Sequence, residues 1–70
     1  MKKELKLFDK VLARDNDSQT WILGEFHCTW GGKYPYVVEN YVCVDWYAQC
    51  IPYEGNEPLL GTNLSPSEDY

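Results

Sequence analysis

The chain has one histidine, six basic side chains against eleven acidic ones, and three cysteines with no close pair among them. It also has no apolar run approaching the roughly 20 residues of a membrane span, so no membrane partner is expected. The formal net charge of −5 repels phosphate and argues against nucleic acid as a partner. Met1 to Phe8 begins with lysines but lacks the apolar stretch of a secretory signal. Cytoplasmic residence is the resulting expectation, with Cys28, Cys43 and Cys50 as thiols.

The same scarcity weakens most chemical sites. Structural zinc sites draw on close pairs such as Cys-x2-Cys, and His27 and Cys28, being neighbours on a strand, point to opposite faces. Core-filling cysteines are the simpler reading, and no metal is expected. Asp15-Asn16-Asp17 begins like a calcium loop, but Gln19 and Thr20 stand where a further oxygen ligand and a glycine belong, and Phe26 stands at the bidentate position. No paired carboxylates in an apolar setting, phosphate-cradling loop or hydrolase elbow is present, and the lone His27 cannot serve a nucleophile on its own strand from the opposite face. No enzymatic activity and no cofactor are therefore expected.

What is abundant is aromatic. Three Trp, six Tyr and two Phe in 70 residues can supply a small core. These side chains suit a pleated surface better than a helix. Lys10–Arg14 reads as a first strand, and Asp15-Asn16-Asp17-Ser18 as a reversal. Residues 20–30 alternate as a long bent strand, with Phe26, Cys28 and Trp30 on one side, and Gly24 marks a bulge or a close approach of strands. Gly31-Gly32 ends that strand.

Val37-Val38 and Tyr41-Val42-Cys43-Val44 continue the β pattern, with a bulge or a tight turn at Glu39-Asn40. Ala48–Ile51 forms the next strand, halted by Pro52. Depending on the loop between them, Cys43 and Cys50 would be diagonal or directly opposed in a hairpin. Leu59-Leu60 is a last brief strand or a single helical turn, and most of the polar stretch after it is expected to be mobile. The expected fold is all-β, a small five-stranded SH3-like barrel over residues 8–62, with an N-terminal extension (1–7) and a flexible tail (63–70).

Phe8-Asp9-Lys10-Val11-Leu12-Ala13-Arg14-Asp15, Trp21, Tyr34-Pro35-Tyr36, Gln49-Cys50-Ile51-Pro52-Tyr53 and Leu59-Leu60-Gly61-Thr62 together resemble a family of short proteins of unassigned activity from gut anaerobes and their phages. That resemblance implies a shared scaffold and nothing catalytic. Val11–Arg14, the acidic loop, Trp21 and Ile51-Pro52-Tyr53 more loosely resemble SH3-like and Tudor-like barrels. Where a peptide-binding SH3 domain carries Ala-Leu-Tyr-Asp-Tyr, this chain has Val11-Leu12-Ala13-Arg14-Asp15, a departure that weighs against recognition of proline-rich peptides.

A small barrel cannot bury every aromatic residue. Trp30, Tyr34, Tyr36, Trp46, Tyr47 and Tyr53 are the candidate binding set, with Asp15, Asp17, Glu39 and Asp45 as an acidic rim facing a basic or extended protein partner. The competing expectation is that half of the aromatics are core and the rest scattered. A second functional expectation, from charge and the phage resemblance, is an inhibitor or nucleic-acid mimic, which requires a carboxylate stripe built from Glu25, Glu39, Asp45, Glu54 and Glu57. Either a monomer or a homodimer is compatible with the sequence.

Overall fold

The computed structural model describes residues 5–66, whose five strands form one antiparallel sheet. The strands are β1 (Lys10–Arg14), β2 (Ile22–Thr29), β3 (Tyr36–Glu39), β4 (Val44–Tyr47) and β5 (Gln49–Pro52), followed by a 3-10 turn at Glu57–Leu59. Their order across the sheet is β4-β3-β2-β1-β5. The expected all-β architecture with five strands is thus the observed one.

Although β4 and β5 lie at opposite ends of this order, Ala48 alone separates them in sequence. Two residues of extended chain span at most about 7 Å, so the sheet must curl until its ends approach each other. The ladder itself is not closed, because β4 pairs only with β3 and β5 only with β1. At the junction the Ala48 N–H donates to Asp15 Oδ1 at 3.2 Å.

β1 is buried on both faces. Val11 and Ala13 join Phe26, Val38 and Tyr47 in the enclosed core, with Leu5, Ile22, Tyr36 and Cys50 packed against them. Leu12 points the other way and is also fully buried. On that outer side Arg14 lies over Trp21, with its guanidinium carbon 4.1 Å from the ring centroid. Arg14 donates from Nε to Gln49 Oε1 (2.7 Å) and from Nη1 to the carbonyls of Asn63 (2.9 Å) and Gln19 (3.3 Å).

Four local features go beyond the sequence reading or correct it. First, the chain turns directly after Glu39, the last residue of β3, and Asn40 to Cys43 form the β3–β4 connection, so Tyr41-Val42-Cys43 belongs to the loop instead of a strand. The Asn40 side chain accepts from the N–H groups of Val42 and Cys43, each at 2.8 Å, while the Asn40 N–H donates to the Cys43 carbonyl. This local capping overrides the β propensity of Tyr41 and Val42.

Second, the bulge in β2 lies at His27, and Gly24 is the close approach. A Cβ on Gly24 would meet Val38 Cγ1 at 2.5 Å and the Glu39 carbonyl oxygen at 2.8 Å. Because the register shifts between Phe26 and Cys28, Cys28 moves off the core face that strict alternation assigned to it. Third, Leu59 closes a 3-10 turn and Leu60 makes a single parallel bridge to Trp21.

Fourth, the segment after that turn is anchored. Trp21 donates from its backbone to the Thr62 carbonyl (2.9 Å) and from Nε1 to the Leu64 carbonyl (2.8 Å). Asn63 and Leu64, the first residues of the tail expected from sequence, therefore supply carbonyl acceptors to Arg14 and Trp21. Residues 67–70 of the expected tail and residues 1–4 of the expected extension lie outside the described residues.

Candidate functional site: the outer face of strands β2 to β4

Directly paired residues on neighbouring strands share a face of the sheet. The register therefore sets Lys10, Glu25, Glu39 and Val44 in one outer row, and Cys28, Val37 and Trp46 in the next. Trp46 is 50% exposed, Val44 44% and Leu23 38%. The result is a partly apolar, partly acidic face open to solvent.

At its upper edge a groove of about 300 Å³ is lined by Lys10, Leu23, Gly24, Glu25, Glu39, Asn40 and Tyr41. Glu25 and Glu39 are direct cross-strand partners, an arrangement that places like charges side by side and costs stability. Glu39 has some compensation, since its Oε1 lies 3.0 Å from His27 Nε2. Phe8 meets the His27 ring edge-on at 5.7 Å between centroids.

The candidate aromatics do not gather on one surface: Tyr36 and Tyr47 are direct cross-strand partners, but they meet on the core face. Among the described residues none of the rings of Trp30, Tyr34, Tyr36, Trp46, Tyr47 and Tyr53 stacks on another of the set. Trp30 and Tyr34 are exposed on the β2–β3 connection, whose ends are joined by the Trp30 N–H donating to the Pro35 carbonyl. Tyr36 packs against the core, Tyr53 is half-buried beyond β5, and Tyr47 is a core residue. The Tyr47 hydroxyl accepts from Asn40 Nδ2 at 2.9 Å. Burial raises its pKa above the usual 10.0, outweighing the opposing hydrogen bond from Asn40. Of the six, Trp46 is the one that strand pairing places in the outer rows described above.

The acidic candidates are likewise dispersed. Asp15 holds the Ala48 junction, and Asp17 Oδ1 accepts from Gln49 Nε2 at 2.8 Å and lies 3.4 Å from Arg14 Nη2. Both follow the end of β1 opposite to Lys10, roughly 15 Å of strand away from the groove. Asp45 pairs with Val38 on the other face, and its carboxylate accepts the Trp46 N–H at 2.8 Å. Only Glu39 lies beside the groove.

Leu23, Lys10 and Tyr41 are site residues that the sequence reading omits, and Glu25 entered it only as part of the carboxylate stripe. The detectable signal for Tyr41 was Asn40, a residue type that caps turns; nothing in the sequence could pair Glu25 with Glu39 without the bulge. Neither hairpin register expected for Cys43 and Cys50 occurs, because β4 and β5 do not pair. Cys43 lies in the loop and Cys50 faces Ala13 on β1. All three cysteines are free, and burial pushes the Cys50 thiol up to about 12.

Comparison with protein-family models, curated proteins and solved structures finds no match. Among the described residues no cluster of three or more His, Cys, Asp or Glu side chains is placed to hold a metal ion. No helix among them is long and apolar enough to cross a membrane.

Proposed function

We propose that this protein is a noncatalytic interaction module that sets the outer face of β2–β4 against a basic, extended segment of a protein partner. The observation that carries the reading is the half-exposed Trp46, flanked by Val44 and by the Glu25–Glu39 pair, on one solvent-open face. A large aromatic anchor beside acidic side chains combines apolar contact with electrostatic selection. Addition of a second copy at the β4 edge is disfavoured, since the Trp46 N–H is already occupied by the Asp45 carboxylate.

The rival reading, a phage-related inhibitor or nucleic-acid mimic, needs a continuous carboxylate stripe. Glu25 and Glu39 adjoin, but Asp45 turns to the other face and Glu54 and Glu57 lie beyond β5, across the strand order. Lys10 and His27 also interrupt the charge at the groove. That distribution favours a short basic segment over a polyanion's partner.

The test is capture of partners from the native host by the wild type and by Trp46→Ala, both first checked for native folding by circular dichroism. Retention of a basic protein by the wild type alone, at salt that screens surface charge, supports the module reading. Equal retention by both proteins refutes it.

A further inference from the structure

The groove beside Trp46 has a composition more specific than that of the face as a whole. Its walls combine an apolar side chain, Leu23, with two acidic residues side by side on adjacent strands and the rim phenol of Tyr41. Among the described residues the Glu25 carboxylate has neither a hydrogen bond nor an ion pair, and Lys10 has no ion pair although its backbone lies opposite Glu25. The free protein therefore carries a like-charge pair in which Glu39 is partnered by His27 and Glu25 is not. A cation seated between the two carboxylates would remove that repulsion.

Resting on the interaction-module reading, we propose that this groove receives one basic side chain, lysine or arginine, from the extended partner segment. Its aliphatic stem lies along Leu23 and its charged head is shared by Glu25 and Glu39, as amphipathic cationic side chains require. Tyr41, 97% exposed, closes over the stem from the rim. The Asn40 side chain fixes the loop that presents it, through the Val42 and Cys43 N–H groups and the buried Tyr47 hydroxyl. Lys10 discriminates against sites with two adjacent positive charges, because the second would meet it.

The experiment titrates the full chain with a mixed library of short extended peptides carrying one fixed central lysine, a second carrying arginine, and a third with acetyl-lysine, followed by amide chemical shifts. The basic libraries should move Gly24, Glu25, Glu39 and Tyr41, and the acetylated one should not. Glu25→Gln and Tyr41→Ala, both at exposed positions, should keep the native spectrum and weaken binding about tenfold and about threefold. Equal response to charged and acetylated libraries, or unchanged affinity in Glu25→Gln while Trp46→Ala loses binding, overturns the basic-slot assignment and leaves the module reading standing. No response from any library overturns both.

Discussion

Arg14 offers the sharpest test of how this small fold is held. Its side chain is 2% exposed, yet the only carboxylate beside it among the described residues, Asp17, is 84% exposed and 3.4 Å away. An ion pair with so solvated a partner contributes under about 1 kcal/mol. The stabilising contacts must be the short bonds to Gln49 Oε1 and the Asn63 carbonyl and the position over Trp21. Charge-assisted hydrogen bonds of this kind contribute about 1.5 kcal/mol each at the lower end, and the cation–π contact about 1 kcal/mol. Asn63 and Gln19 are exposed and regain water when the guanidinium is removed, so Arg14→Met should cost about 2–4 kcal/mol. For a chain of this size that lowers the melting temperature by about 10–25 °C. Asp17→Ala should lower it by only a few degrees. Chemical and thermal unfolding of both variants decides the matter, and amide exchange at residues 62–64 should accelerate in Arg14→Met. Equal losses in the two variants would refute the reasoning and assign the stability to the ion pair.

Three further outcomes follow from the same contacts. Gly24→Ala should destabilise by about 1–3 kcal/mol in denaturant titration, because its Cβ meets the Glu39 carbonyl oxygen at 2.8 Å and backbone cannot yield as a side chain can; an unchanged midpoint would show that β2 and β3 separate freely. Asn40→Ala removes the acceptor for two loop N–H groups and the donor to Tyr47, so a loss of about 1–2 kcal/mol and faster exchange at Val42 and Cys43 are expected. Cys50, with an ordinary value of 9.0 and a folded value of about 12, holds its proton more tightly when folded. The stability this contributes is complete below pH 9 and falls by about 1.4 kcal/mol per pH unit between those values, so Cys50→Ala should flatten the alkaline limb of stability against pH. An identical limb in both proteins would count against burial as the cause.

How much of this was legible before folding is best judged residue by residue. Val11, Leu12 and Ala13 identified β1 directly, since three adjacent apolar residues between polar neighbours have few other uses. Gly24 was marked as a close approach or a bulge, but sequence could not choose between them: both ask for a missing side chain. Tyr41-Val42 had high β propensity and still became loop, because three hydrogen bonds from one Asn40 side chain fix the turn more strongly than propensity favours the strand. Tyr47 and Trp46 are neighbours of similar character, one core and one surface. Period-two alternation separates their faces but does not say which face is enclosed.

By itself, the sequence determined what local chemistry can determine: an all-β chain, its first strand and its main reversals. Tertiary structure decided the site. The His27 bulge shifts the register by one residue and brings Glu25 opposite Glu39, and the single-residue link at Ala48 forces the sheet to curl. Both are long-range pairings whose energy depends on which strands meet, and no window of adjacent residues contains that information.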